Sequence, residues 1–102
     1  MNKFDKVMES LHEGCMARRA DWPDGVYIFK QIPAIISVPQ TVPVMQSLPE
    51  TVKKLFLYRY NNNGLGEIIY ENQIARISEK NFITGWAATP DDIFADNWEI
   101  IE

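Results

Sequence analysis

Three aspartates near the C-terminus are the first candidates for chemistry, because paired carboxylates can act as general acid and general base. Asp91, Asp92 and Asp96 lie close together in the sequence. However, Thr89 and Pro90 precede them, and Thr-Pro followed by two acids is typical of a helix start. We therefore interpret the acids as helix-initiating residues and expect a binding role near Asp92, where side-chain oxygens can meet the hydroxyls of a sugar.

Histidine and cysteine are each represented once, by His12 and Cys15. A metal site needs three or four ligands, and a nucleophilic Cys–His pair needs a third group to orient it. Neither set is visible, so we expect His12 on a helix surface and Cys15 as a small buried side chain. Phosphate-binding glycine loops and hydrolase motifs are also missing from the sequence. The sequence therefore predicts neither an enzyme nor a cofactor.

Two adjacent arginines and several aromatic rings offer binding chemistry instead. Arg18 and Arg19 alternate on a predicted strand, which sends their guanidinium groups to opposite faces. Each can pair with a nearby acid or hold a phosphate through bidentate hydrogen bonds. Trp22 opens a predicted turn and is expected to be part-buried. It and Trp86 could stack on a nucleotide base, whereas Trp98 is expected to anchor the core.

The composition limits the class of protein. The chain has 102 residues, a net charge of −4 and 46% hydrophobic residues, which is typical of one globular domain over 1–102. An acidic protein has no overall attraction for a nucleic acid polymer. The chain has no apolar run of ~18 residues that would cross a membrane, and its N-terminus lacks a signal-peptide pattern. A single cysteine excludes an internal disulfide, so we expect a cytoplasmic location.

Hydrophobic periodicity predicts an α+β fold with a small antiparallel sheet. One apolar stripe predicts a helix over residues 2–13, with Asn2 as N-cap and Gly14 just beyond its end. A short C-terminal helix is expected to begin at Thr89 and to bury Ile93 and Phe94. Alternating patterns predict strands over residues 15–21, 26–32, 55–60, 67–70, 72–77, 80–86 and 98–101.

The connections are predicted from proline, glycine and asparagine. A turn is expected at 22–25 and a hairpin turn at 61–66. Four prolines in the stretch 33–54 remove ladder donors and predict a long, ordered, Pro-rich central loop with pieces of edge strand. At most one helical turn is expected after Pro49. The apolar content of this loop predicts either an intersubunit arm or a lid, and the chain is expected to form a homo-oligomer.

Both ends of the chain resemble the Thoeris anti-defence two family of small phage and prophage proteins. In the N-terminal motif, Gly14, Arg19 and Trp22 match, and Ala17 replaces the usual valine. The C-terminal motif runs from Trp86 to Trp98. Its matching residues are Trp86, Asp92, Ala95 and Trp98. Its departures are Thr89 for serine, Ile93 and Phe94 for leucines, and Asn97 for aspartate.

The resemblance implies a non-catalytic protein that sequesters an immune signal. Members of the family that this chain resembles bind a cyclic ADP-ribose isomer made by a bacterial defence protein, and some also bind cyclic oligonucleotides. They form homotetramers with ligand pockets between subunits, inside the bacterial host cell. By this resemblance the contacts are expected to come from Arg18, Arg19, Trp22, Trp86, Thr89 and Asp92. Two alternatives stay open: a phage interaction or structural module without a small ligand, and a nucleotide-processing enzyme.

Overall fold

The computed structural model describes residues 1–102 and confirms an α+β fold with a small antiparallel sheet, but it has four helices where we expected two. The chain divides into two compact units, one made of Met1–Ile32 with Asn72–Glu102 and the other of Pro33–Glu71. In chain order the elements are α1 Phe4–His12, β1 Met16–Arg19, β2 Tyr27–Gln31, β3 Ala34–Ser37, α2 Val38–Thr41, a 3-10 turn Val42–Val44, α3 Glu50–Asn63, β4 Glu67–Tyr70, β5 Gln73–Ile77, β6 Ile83–Gly85, α4 Pro90–Phe94 and β7 Trp98–Ile101. No helix is both long enough and apolar enough to cross a membrane.

The first unit is a five-stranded antiparallel sheet in the order β6-β5-β2-β1-β7. Helix α1 packs on one face, where Val7 and Leu11 contact a core of Ala17, Ile28 and Trp98. Strand β7 lies at one edge and pairs with β1. The closing strand predicted from the sequence at 98–101 is therefore confirmed, and so is the role of Trp98 as a fully buried anchor.

The predicted cap of the N-terminal helix is wrong. Lys3 occupies the N-cap position of α1 without a side-chain hydrogen bond. Asn2 instead pairs with Trp98 through two backbone hydrogen bonds of 2.8 and 3.2 Å. The extended N-terminal residues thus continue the sheet edge, and this long-range pairing outweighs the local preference of asparagine for capping. Gly14 follows the helix end with a φ of +96°, as predicted.

The predicted helix start at Thr89 is confirmed, but the expected burial of Ile93 and Phe94 is wrong. Helix α4 has only five residues, Ile93 is 47% exposed and Phe94 is 86% exposed. Asp92 is the residue of this helix that is buried. In so short a helix, the capping contacts between Thr89 and Asp92 fix the orientation of the helix, and they place the Asp92 side chain on its buried face.

The second unit corrects the predicted Pro-rich loop. Residues 33–54 form β3, α2, a 3-10 turn and the beginning of α3, and β3 pairs with β4 in a two-stranded sheet. Pro39 and Pro43 lie within the first two positions of short helices, and Pro49 is the N-cap of α3. These positions need no backbone N–H donor, so the prolines begin helical segments where we expected them to prevent helices.

The strand predicted at 55–60 is also wrong, because these residues lie inside the 14-residue helix α3. Alternation of Phe56, Tyr58 and Tyr60 matched the period of a strand. The apolar residues of this helix are distributed around its circumference, so its sequence shows only a weak helical period, and none of its residues is fully buried. The predicted hairpin turn is a helix end, where Gly64 adopts a φ of +72° as a left-handed C-cap.

Replacing Trp98 by phenylalanine tests the core of the first unit. The indole Nε1–H donates to the main-chain oxygen of Asp92 at 2.9 Å in a buried position. Because Trp98→Phe leaves this oxygen without its partner and shrinks the ring, we expect the free energy of unfolding to fall by about 2 kcal/mol. Chemical denaturation monitored by circular dichroism measures the change.

Tyr27→Phe is the matched control, since it also removes a polar hydrogen from a ring in the same unit. The Tyr27 ring is part-buried on β2. We expect the free energy of unfolding to change by less than about 0.5 kcal/mol. Equal losses in the two variants would contradict the role assigned to the Trp98–Asp92 hydrogen bond.

Candidate functional site

The start of α4 is a reciprocal capping box between Thr89 and Asp92. The Asp92 amide donates to Thr89 Oγ1 at 3.2 Å, while Asp92 Oδ2 accepts from the Thr89 amide and from Thr89 Oγ1–H, each at 2.9 Å. Both side chains are thereby fixed in orientation. An aspartate at N3 can accept hydrogen bonds from the N-cap residue, which gives Asp92 a structural role in starting the helix.

Arg19 extends this network from β1. Its Nη1 donates to Asp92 Oδ1 at 3.1 Å and its Nε donates to Asn97 Oδ1 at 3.2 Å. Asn97 in turn donates through Nδ2 to Asp21 Oδ1 at 2.9 Å. The Arg19 side chain is 19% exposed, and its Nη2 group remains free of hydrogen bonds within the chain. The network therefore holds the guanidinium in place and leaves its Nη2 donors without a partner in the chain.

The environment of Asp92 favours its ionised form. Burial on its own raises the pKa of this carboxyl, but hydrogen bonds from the Thr89 amide and hydroxyl and the charge of Arg19 outweigh burial, so the pKa lies below its ordinary value of 3.8. An ionised carboxylate offers about four lone-pair sites, of which three are occupied here. Asp92 can thus accept one more hydrogen bond.

Four aromatic rings meet beside this network. Trp98 is fully buried, and the rings of Trp22, Trp86 and Phe4 surround it at centroid distances of 5.2, 6.1 and 5.6 Å. Trp22 and Trp86 are part-buried and contact each other edge to face, with centroids 6.1 Å apart at 69°. This geometry presents a corner made of two rings, which differs from a parallel clamp.

Arg18 lies on the opposite side of β1 from Arg19 because neighbouring residues of a strand alternate. Its guanidinium donates to the main-chain oxygen of Trp22 and lies 3.4 Å from the carboxylate of Asp24. These contacts hold the turn that carries Trp22. The turn predicted at 22–25 lies one residue later, since the Val26 amide donates to the Pro23 oxygen at 3.3 Å, and the expected positive φ of Gly25 is confirmed at +85°.

The structure thus brings five of the six predicted residues into two adjoining groups and separates the sixth. Arg19, Thr89 and Asp92 form the polar group, and Trp22 and Trp86 belong to the aromatic group. Trp98 connects the groups, because it opposes Arg19 in the ladder and donates to Asp92. The residues that sequence reasoning did not assign to the site are Phe4, Asp21 and Asn97. Only their tertiary contacts identify them.

The remaining candidates lie elsewhere. His12 is exposed, as predicted, and Cys15 is part-buried, which corrects the expected full burial. The chain contains no group of three or more histidine, cysteine, aspartate or glutamate side chains that could hold a metal ion. One cavity of the first unit is lined by residues of α1, β2 and β5 and includes none of the six predicted residues. The candidate site lies outside this cavity and is made of buried and part-buried side chains, with Thr89 exposed.

Comparison with known families identifies the class of this protein. The sequence model of the Tad2-like family, the Thoeris anti-defence 2-like domain, matches residues 2–101. The chain belongs to this family, and its membership fits an anti-defence role. No curated protein sequence matches the chain.

The pH dependence of stability tests the Asp92 network. Because the folded-state pKa is lowered, the ionised carboxylate stabilises the fold above its unfolded pKa of about 3.9, and this contribution disappears as the pH falls through the lower folded value. We expect Asp92→Asn to reduce the free energy of unfolding by about 1–3 kcal/mol at pH 7. The difference from the unchanged protein should shrink as the pH falls from about 5 towards 2, which denaturant titrations at several pH values measure.

Asp91→Asn is the control, since Asp91 is exposed in the same helical turn. It removes the same charge without touching Arg19, so we expect a change below about 0.5 kcal/mol at pH 7. If Asp92→Asn gave a loss that stayed constant across the pH range, the loss would not come from the ionised carboxylate.

Proposed function

We propose that this protein binds and sequesters a cyclic nucleotide immune signal, a cyclic ADP-ribose isomer in the first instance, and releases it unchanged. The observation that carries the proposal is the junction of an aromatic corner with a fixed arginine–aspartate pair. Family membership supports the anti-defence purpose. A sponge needs binding contacts and no reacting group, and this agrees with the absence of catalytic motifs noted in the sequence.

The aromatic corner suits an adenine base. A flat base can stack on the face of one ring of the Trp22–Trp86 pair and meet the edge of the other, given their angle of 69°. Such stacking contributes about 1–3 kcal/mol per base. Trp98 and Phe4 support the two rings from below, so that little ordering is needed when the ligand binds.

The polar group suits the phosphates and ribose. The Nη2 group of Arg19 has no hydrogen-bond partner in the chain, and in this proposal it donates to a pyrophosphate oxygen of the ligand. Charge-assisted hydrogen bonds of this kind are short and strong. The unoccupied lone pair of Asp92 can accept from a ribose hydroxyl, with Thr89 beside it. Arg18 lies on the opposite face of β1, and in this proposal it contacts a ligand at the boundary with a neighbouring subunit.

We further propose that the functional form is a homotetramer in the cytoplasm of the bacterial host, with 1–102 acting as one domain. Many large apolar side chains are exposed in the single chain, and the whole of α3 buries no residue. Exposed apolar side chains mark an interface where they form a contiguous patch, and in this proposal neighbouring subunits cover them. The strongest cases are Ile32, Val44, Phe82 and Phe94.

Ligand binding is tested by isothermal titration calorimetry with a cyclic ADP-ribose isomer. We expect a sub-micromolar Kd, of the order of 0.1 µM, and recovery of intact ligand after heat denaturation of the protein. Trp86→Ala should weaken binding by about 5- to 150-fold because it removes one stacking surface. Tyr58→Ala is the control, since it removes an exposed aromatic ring of α3 that belongs to neither group.

Three results would contradict this proposal: no binding of any cyclic nucleotide, degradation of the ligand, or equal losses in the two variants. The first result, together with a protein that copurifies, would favour an interaction module. Exposed Ile35 and Ile69, which oppose each other on the β3–β4 pair, give that alternative a surface. Turnover of a nucleotide would instead show an enzyme.

Assembly is tested by light scattering after size-exclusion chromatography. We expect a molar mass about four times the 11.8 kDa of one chain. Phe94→Asp places a charge on an 86%-exposed apolar position and should shift the mass towards smaller species without unfolding the chain. A monomer at concentrations on the order of 100 µM would overturn the tetramer and the pocket shared between subunits.

A further inference from the structure

A cavity of about 220 Å³ lies in the first unit, away from the aromatic corner. The C-terminal half of α1 forms one wall, and β2 and β5 form the other. Its floor is apolar and consists of Met8, Leu11 and Ile74. Leu11 is only 2% exposed and belongs to the core, Ile74 is part-buried, and Met8 is 42% exposed at the outer side of the cavity.

The rim of the cavity is polar. Gln73 Nε2 donates to Gln31 Oε1 at 2.6 Å, which leaves the Gln73 carbonyl oxygen free to accept a hydrogen bond. The Asn72 side chain is exposed next to it. An apolar floor with a few polar groups at the mouth is the usual composition of a small-molecule pocket.

The cavity also holds a cation without a counter-ion. Lys30 is part-buried on β2 and its Nζ lies 3.5 Å from His12 Nδ1, a contact at the long limit of a hydrogen bond. None of the five salt bridges in the chain involves Lys30. Lys6 and Lys53 each pair with a glutamate, whereas Lys30 shares the lack of a salt bridge with Lys3, Lys54 and Lys80 and differs from them in lining the cavity. The ammonium group of Lys30 is therefore available to an anion at the mouth of an apolar cavity.

We propose that this cavity binds a small organic anion consisting of one carboxylate on a flat apolar ring. The ring occupies the floor between Met8 and Ile74, and the carboxylate accepts from Lys30 Nζ and from an N–H of the His12 ring. The amides at the rim accommodate a polar substituent on the ring. The proposal is independent of the cyclic nucleotide site, because the two share no residue.

Nuclear magnetic resonance titration with benzoate tests the proposal on the full chain. We expect a Kd on the order of 1 mM, the range accessible to a ligand of about nine non-hydrogen atoms. The largest chemical-shift changes should occur at the His12 ring and at the side-chain amides of Asn72 and Gln73. The indole resonances of Trp22 and Trp86 should not move. Shifts spread over both sites, or none at all, would overturn the assignment.

Two further ligands separate the contributions of ring and charge. Benzyl alcohol has a similar ring without the charge and should bind more weakly than benzoate by about threefold or more. Inorganic phosphate has the charge without the ring and should leave the floor residues unshifted. Equal binding of benzyl alcohol and benzoate would refute a role for the cation.

Reversing the charge of Lys30 tests whether its ammonium group binds the carboxylate. Lys30→Glu should weaken benzoate binding by about tenfold, because it replaces attraction by repulsion, and should leave benzyl alcohol binding unchanged. Lys80→Glu is the matched control: it changes the net charge equally at an exposed turn residue outside the cavity. Lys30→Arg keeps the charge and should retain most of the affinity. Equal losses in Lys30→Glu and Lys80→Glu would show a non-specific effect of net charge.

Discussion

The burial of Trp98 is the interaction on which the first unit depends. Its ring fills the space between α1 and the sheet, and its Nε1–H fixes the main chain of Asp92 at the start of α4. Its backbone holds Asn2 at the sheet edge. One residue thus joins the N-terminus, the last strand and the last helix, and its ring also contacts the two tryptophans of the candidate site.

The candidate site inherits its rigidity from this arrangement. Arg19 opposes Trp98 in the β1–β7 ladder, and Asp92 is held by the capping box on one side and by Trp98 on the other. The groups that would meet a ligand are consequently oriented before binding. Preorganised contacts of this kind favour tight binding because little conformational entropy remains to be lost.

The second unit has a different physical character. Only Val38 and Val42 are buried among its residues, and α3 exposes Leu55 and Tyr58. A unit of this size with so small a core gains little free energy from burial within the chain. It is therefore the region in which partner contacts would contribute most to stability.

Local chemistry allowed several features to be predicted. The cap at Thr89 and the positive φ of Gly25 depend on residues close together in sequence, and both are confirmed. The helix α3 was missed because its apolar residues are distributed around the helix and give only a weak helical period. Its local signals, Pro49 at the start and Gly64 at the end, were present and were outweighed by the alternating aromatics.

The sequence by itself determined the class of fold, the ends of the best-capped elements and the types of residue available for binding. Tertiary structure alone decided which of these residues meet. Arg18 and Arg19 are adjacent in the chain, yet a strand directs them to opposite faces, whereas Arg19 and Asp92 are distant and form an ion pair. Contacts of this kind depend on strand register and on the packing around Trp98, and no short stretch of sequence encodes either.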